Sequence, residues 1–300
     1  MNGPSDPRSA KRGAVDIRPR DATLRIVAYN FLSGGSRKRA GHWSRIRRRL
    51  APDIVLAQEC RTPEDSPAER FRCAEGDTLL WAPVRAGRWG SAIWLRGLRA
   101  TPLEVPGFGG WVVGAEVAGP PWSRGRALRI FSVHCPVGER GYVRTMHAIL
   151  DGVGRLRGEA DLILGGDFNV VVGSRQPGER IRVNGGERAL LDRLAAEFDL
   201  ISCWQAANPG RRLAQTLRWS AEPTAPYHCD GIFVPSAWGA RLASCRVVTG
   251  CRWKRLSDHN PVLADFTAGS RPSGPLTPSP GSGAAAPGAR TRSRDSEGSR

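Results

Sequence analysis

The segment Leu162-Ile-Leu-Gly-Gly-Asp167-Phe-Asn169 ends an apolar run in an acid and a carboxamide that would emerge together at a strand end. Its two glycines permit a tight turn and leave room for a bulky ligand. A carboxylate beside an amide suits hydrolysis at phosphorus: the acid can orient or deprotonate water, and the amide can donate to a phosphoryl oxygen. In Leu256-Ser-Asp258-His259-Asn-Pro261 an acid and an imidazole stand directly before a proline-initiated strand. Consecutive side chains diverge on extended backbone, so these two are expected to do different jobs, one toward a metal and the other toward a substrate.

Three further strand ends carry similar chemistry. In His228-Cys-Asp230-Gly, Asp230 precedes an apolar strand; a carboxylate facing His259 would fix its tautomer and favour the imidazolium that stabilises a phosphorane-like transition state. Ile54-Val-Leu-Ala-Gln58-Glu59 and Ala28-Tyr-Asn30 end strands in oxygen ligands. Such ligands suit magnesium, which keeps several waters and asks for one or two protein carboxylates. Ile130-Phe-Ser-Val-His134 closes another strand with an imidazole able to donate to a phosphate. Each of these alone is also an ordinary turn, a solvated strand end or a structural histidine; their joint occurrence carries the reading.

The elements that must position them are short apolar runs bounded by turn signals: residues 24–29, 54–57, 92–95, 111–117, 128–133, 162–164, 231–234, 246–248 and 262–266. Helical spacing is found around Trp43, Ile46 and Leu50, around Met146, Ile149, Leu150 and Val153, and around Leu190, Leu191, Leu194 and Phe198. Many strands with few helices, in one continuous segment, predict an α/β fold: a four-layer αββα sandwich of two packed mixed sheets flanked by helices. Arg45, Arg47, Arg48 and Arg49 fall mainly opposite the apolar stripe of the first helix and read as a solvated face.

Residues 1–22 and 268–300 are poor in large apolar residues and rich in Pro, Gly, Ser and Arg, and are expected to be disordered tails around a catalytic domain at 23–267. The net charge is +17; residues 1–20 and 268–300 each carry five basic and two acidic residues, so +11 remains between them. Clustered cations suit an anionic substrate, although only three of the 45 basic residues are lysine, a bias of the kind GC-rich coding produces. Seven cysteines without a C-x-x-C pair read as reduced thiols. There is no long apolar span and no secretory signal pattern, so the expectation is a soluble cytoplasmic protein, monomeric by default, with no membrane partner.

Taken in order, Asn30, Gln58-Glu59, Ser132-Val-His134, Gly166-Asp167-Phe-Asn169, Asp230-Gly-Ile-Phe and Ser257-Asp258-His259-Asn-Pro-Val resemble the successive motifs of the endonuclease/exonuclease/phosphatase superfamily across residues 24–266. The resemblance implies a magnesium-dependent phosphodiesterase, manganese being a substitute, with its site at the rim of two sheets. It implies Glu59 as principal metal ligand with Asn30 and Asp258 in or near the metal shell. It further implies Asp167 activating or orienting the attacking water, Asn169 holding that water and the phosphoryl group, His259 paired with Asp230 against the scissile phosphate, and His134 on a phosphate oxygen. Two positions depart from the pattern: Ser91 stands where many members have Asn, and Gly231 where many nucleases have Tyr.

The peptide Pro226-Tyr-His-Cys229-Asp230-Gly lacks the arginine typical of the inositol-phosphatase subgroup. A nucleic-acid phosphodiesterase, endonuclease or exonuclease, is therefore the leading expectation, helped by Trp81, Trp89, Trp111 and Trp122 as exposed-loop candidates near Arg85, Arg88 and Arg124. A phosphohydrolase acting on small-molecule or lipid esters, and a catalytically silent binding protein, are the alternatives.

Overall fold

The computed structural model describes residues 22–268 except 36–40, 66–68, 85–86, 124, 140, 176–178 and 180–181. Both expected tails, Arg85 and Arg124 thus lie outside the described residues. Two six-stranded sheets stack face to face. The first is ordered β11(Leu242–Val247), β12(Val262–Thr267), β1(Ala22–Asn30), β2(Ile54–Cys60), β4(Gly90–Leu95), β3(Thr78–Pro83). The second is ordered β5(Thr101–Leu103), β6(Val112–Val117), β7(Leu128–His134), β8(Asp161–Asp167), β10(Asp230–Pro235), β9(Leu200–Ser202).

Alternation along the strands makes the layers. Leu24, Ile26 and Ala28 of β1 face the second sheet and meet Ile130, Ile163 and Ile232 in the central core. Val27 and Tyr29, pointing the other way, pack under α1(His42–Leu50) with Trp43, Ile46 and Leu50. On the far side, Leu162 and Leu164 of β8 meet Met146, Ile149 and Val153 of α2(Tyr142–Arg157) and Leu190 and Leu194 of α3(Gly185–Ala196). A period of two in the strands and of 3.6 in the helices therefore yields helix, sheet, sheet, helix, as the pattern predicts. None of the helices among the described residues is long and apolar enough to cross a membrane.

Each sheet is built around one parallel pair joined through a helix: β1–α1–β2 in the first and β7–α2–β8 in the second. Their remaining partners run antiparallel. This geometry puts the C-terminal ends of β1, β2, β7 and β8 on the same edge as the starts of β10 and β12. Asn30, Glu59, His134, Asp167, Asp230 and His259 are the residues at those six positions.

Sequence patterning does not reveal β3, β5 and β9, nor the short helices α4(Cys203–Ala207) and α5(Cys251–Lys254). β5 and β9 are three residues long, too short for a recognisable apolar run, whereas β3 does carry one, TLLWAP, on a half-buried edge strand that the pattern reading passes over. The glycine pair before Asp167 also has a different purpose from the expected one. A Cβ at Gly165 would lie 2.7 Å from Leu56 Cδ1, and one at Gly166, where φ is +139°, 2.1 Å from the Val133 carbonyl oxygen and 2.8 Å from Gln58 Nε2. The space is filled by neighbouring strands and the facing sheet, not by ligand.

Candidate active site

Asn30 is fully buried and ties the two sheets together. Its Nδ2 donates to Glu59 Oε1 and Asp167 Oδ2, each at 3.0 Å, while its Oδ1 accepts from the Leu32 amide at 2.9 Å. The carboxamide oxygen is thus occupied by backbone, and reversing the amide would set oxygen against two carboxylates. Asn30 bridges the acids through its amide nitrogen, which sets it directly beside Glu59.

Glu59 owes its aim to a bulge. The β2–β4 register shifts between Ala57 and Cys60, and Glu59 adopts a left-handed φ of +45°, a device that redirects a side chain beside a functional site. Its Oε2 takes the Ser33 amide, and Glu59 is 16% exposed at the mouth. Behind it, Gln58 Nε2 donates to Ser132 Oγ at 2.9 Å, joining the sheets a second time.

Asp167 Oδ2 is the hub. Besides Asn30 it lies 3.7 Å from His259 Nε2 and 3.9 Å from His134 Nε2, and His134 Nε2 is 3.5 Å from Glu59 Oε1. Asp167 Oδ1 accepts the Asn169 amide at 3.0 Å, with Asn169 itself at φ +52°. Asn169 Nδ2 donates to the Cys135 carbonyl at 2.9 Å, which leaves its oxygen and second N–H for other partners. The capping box of α3 extends this support: Asn184 and Glu187 exchange hydrogen bonds, and Glu187 Oε1 also takes the Val171 amide.

His259 is buried and its Nδ1 meets both oxygens of Asp230, at 3.0 and 2.9 Å. Burial by itself opposes the charged ring. The carboxylates of Asp230, Asp167 and Asp258 and the Asp230 hydrogen bond outweigh it and hold the pKa at about 10. The ring is an imidazolium at neutral pH with Nε2–H free to donate. Asp258, 38% exposed in its side chain, stands 3.9 Å from that Nε2.

Ser257, from the last motif, and two residues that patterning does not single out, Thr216 and Arg218, hold this arrangement. Ser257 Oγ donates to the Asn30 carbonyl at 2.8 Å and accepts from the His259 amide at 3.0 Å. Thr216 Oγ1 accepts the amides of Cys229 and Asp230. Arg218 donates through its guanidinium to the carbonyls of Ser257 and His259, and through its amide to that of Asp258. These contacts come from a loop with no periodicity to mark it. Ser91, one of the departures, is buried with its hydroxyl on the Trp111 carbonyl and offers nothing to the site.

The tryptophans are placed differently from expectation. Trp81, Trp89, Trp111 and Trp122 are all partly buried. Trp81 bonds the Cys60 carbonyl, Trp122 packs against the central core, and Trp89 and Trp111 wall His134 with ring centroids 5.7 and 5.1 Å away. Among the described residues the exposed large aromatics are Trp219, 49% accessible and adjoining Arg218, and Tyr142.

The donor set fits a hard divalent cation. Glu59, Asp167 and Asp258 bring oxygen ligands, and negative charge exceeds what the nearby imidazoles offset. Asp167, Cys229, Asp230 and His259 also lie close enough to form a ligand group. However, burial and the adjoining acids raise the Cys229 thiol well above its usual range, and Asp230 is spent on His259. A protonated thiol is no ligand for magnesium, so Glu59 and Asp258 are the better pair.

No family model matches the sequence, and no curated relative matches it. Solved structures do. A 3′ phosphatase from Neisseria, NExo, solved with a product DNA hairpin, aligns at 20% identity and TM-score 0.61 over 81% of this chain and 99% of that one. An AP endonuclease from Archaeoglobus fulgidus aligns at 17% and 0.57, over 81% and 99%. The AP endonuclease LMAP from Leishmania major aligns at 14% and 0.62, over 86% and 92%. With its two mixed sheets, flanking helices and rim of acids and imidazoles, this chain has the endonuclease/exonuclease/phosphatase fold.

Proposed function

We propose that the protein is a magnesium-dependent hydrolase of nucleic-acid phosphodiesters. The observation that carries the reading is the buried Asp230–His259–Asp167 array, in which one carboxylate charges an imidazole whose other nitrogen faces a second carboxylate and the partly exposed Asp258. Its fold neighbours, among them AP endonucleases and a phosphatase crystallised with DNA, support the same substrate class.

Glu59 and Asp258 would hold the cation, with Asn30 setting the carboxylates of Glu59 and Asp167. When bound, magnesium neutralises charge on the phosphoryl oxygens and stabilises their transition-state charge. Asp167, with Oδ1 fixed by the Asn169 amide, orients the attacking water and takes its proton. Asn169 directs its free amide groups to that water and to the phosphoryl group. His259 donates Nε2–H to a non-bridging oxygen as charge grows there, while Asp230 keeps its other nitrogen protonated. His134 supplies a second imidazole on the opposite side of Asp167.

The exposed large apolar side chains support a nucleotide substrate over a small ester. Leu32 follows Asn30, Val137 follows His134, and Trp219 adjoins Arg218 at the Asp258 loop. Flat and apolar groups around a phosphate site suit bases and sugars.

The deciding experiment is a hydrolysis panel of abasic duplex DNA, single-stranded DNA, 3′-phosphorylated DNA, RNA, phosphoinositides and bis(p-nitrophenyl) phosphate, run with magnesium and with chelator. Magnesium-dependent cleavage of a nucleic acid is expected. Turnover of phosphoinositide alone, or equal turnover in chelator, would overturn the reading.

A further inference from the structure

Arg45 projects from α1, Arg252 from α5, and Arg255 caps the C-terminus of α5; with Leu256 they line one cavity of about 280 Å³. None of the three has an acidic partner among the described residues. Arg45 is partly buried, and its pKa is lowered first by that burial and then by the positive charges of Arg252, Arg49 and Arg48. Three arginines lining one space without an acidic partner raise the free energy of the folded chain, a cost that an anion in the cavity would offset.

The walls are rigid. α5 is anchored by Trp253, buried and edge-on to Tyr29 at 5.6 Å. α1 is tied to the same loop by His42 Nε2 against the Leu256 carbonyl at 3.1 Å, and His42 stacks on Phe31 at 4.7 Å. The cavity also adjoins the catalytic rim. Leu256 precedes Ser257, which binds Asn30 and His259, so only two residues, Ser257 and Asp258, lie between the cavity wall and the imidazolium, at most about 11 Å of chain.

We propose that Arg45, Arg252 and Arg255 form a phosphate-binding subsite that takes a phosphodiester of the substrate strand flanking the scissile one. Planar guanidinium forks match the oxygens of a phosphate and hold it bidentately, which a solvated helix face would not require. The α1 arginines are thus divided: Arg47 and Arg48 are exposed, whereas Arg45 turns into a shared cavity. Assignment to a strand phosphate rests on the nucleic-acid reading above; the phosphate chemistry of the cavity does not.

The test uses the full chain and two variants. One is the triple Arg45→Gln/Arg252→Gln/Arg255→Gln; the other is Arg252→Gln/Arg255→Gln, altered only at exposed positions in case α1 is unsettled by loss of Arg45. With a single-stranded oligonucleotide, KM should rise about tenfold at unchanged kcat, and the slope of log KM against log salt should flatten by about 0.7 for one lost phosphate contact. Hydrolysis of bis(p-nitrophenyl) phosphate, too small to reach the cavity, should be unchanged. Inorganic phosphate should raise the Tm of the wild type in chelator by more than that of either variant, which keeps only the phosphate contacts of the catalytic rim. If phosphate protects the wild type more than the variants while oligonucleotide KM is unaltered, the site stands and its ligand is a free phosphate. Equal protection, KM and salt slope in all three proteins overturn the proposal. Absence of all hydrolysis by the wild type would refute the catalytic reading alone, because the phosphate-dependent Tm still decides the cavity.

Discussion

Two buried polar clusters sit on β1, one in its N-terminal half at Arg25 and one at its C-terminal end at Asn30, about 17 Å apart at strand rise, and they balance charge in opposite ways. At Arg25 the account is closed. Arg25 and its cross-strand partner Asp265 are both fully buried, joined by Nε–Oδ1 at 2.6 Å and a second bond at 3.1 Å. Arg25 also donates to the Leu50 carbonyl, and Asp265 accepts from Ser244 and Arg246. At Asn30 the carboxylates of Glu59, Asp167, Asp230 and Asp258 crowd around two imidazoles. The first cluster has every group matched and no opening; the second keeps unmatched negative charge at an open edge. A buried charge that is paired holds a fold together, and one left unpaired at a rim is there for a ligand.

The comparison is broken most severely from the closed end. Arg25→Met leaves Asp265 buried with only Arg246 and Ser244, and should cost about 3–5 kcal/mol in urea unfolding. Activity per folded molecule, measured in low denaturant, should stay near wild type. A loss of turnover at full folding would mean that the two ends are coupled through β1 and that the division drawn between them is wrong.

At the open end the order reverses. His259→Ala should lower kcat for a magnesium-dependent diester by about 10²- to 10³-fold with little change in KM, since the donor acts mainly in the transition state. Asp230→Asn should reproduce much of that loss, and the double variant should be little worse than either single one. Multiplicative losses would remove Asp230 from its role as the ring's partner. Unfolding stability measured in parallel should fall by far less than in Arg25→Met.

Unmatched charge also predicts ligand-linked stability. Magnesium at one hundred times its Kd should stabilise the wild type by about 2.7 kcal/mol, read as a rise in the urea midpoint. Glu59→Gln should abolish most of this rise and Arg25→Lys none of it. An undiminished magnesium effect in Glu59→Gln would place the cation elsewhere.

How much of this was legible in the sequence differs between the two clusters. The residues proposed for catalysis stand at or beside the ends of apolar strands, and strand ends on one edge of a sandwich converge, so the clustering of Asp167, His259 and Glu59 is readable from position and chemistry together. Arg25 and Asp265 carry no such mark: each is a single charge inside an apolar strand, and only the β1–β12 register brings them opposite. Ser257, Thr216 and Arg218 support the site through hydrogen bonds to backbone, which leave no periodic trace. Arg45 was read as solvated from its helix face alone, because Arg252 and Arg255, far along the chain, complete the cavity. Glycines at 165 and 166 were visible, but their cause, the close approach of Val133, Gln58 and Leu56, was not.

The smallest effect separates the histidines by the environments that hold them. His42, the first residue of α1, packs against the rings of Phe31 and Tyr29, and burial, aided by Arg45 and opposed by its bond to Leu256, lowers its pKa to about 4; burial does the same to His228. His259, burdened by the same burial but facing three acids, is raised to about 10. An unfolded histidine titrates near 6.5. Between pH 6.5 and 4 the unfolded chain therefore binds protons that His42 and His228 refuse, and stability falls as pH falls through that window. Between pH 6.5 and 10 the folded chain keeps a proton on His259 that the unfolded chain has released, so that contribution is complete below 6.5 and is lost as pH rises toward 10. Measured in chelator, unfolding free energy should drop by about 1 kcal/mol for each of the two neutral histidines between pH 7 and 5.5. His42→Gln, which keeps an N–H for the Leu256 carbonyl, should shed about half of that acid dependence and leave the alkaline side untouched. His259→Gln should do the reverse, flattening the decline above pH 7 while the acid side persists. If instead both variants flatten the same side, the two kinds of histidine share one environment, and the contrast between matched interior and charged rim fails where it is most finely drawn.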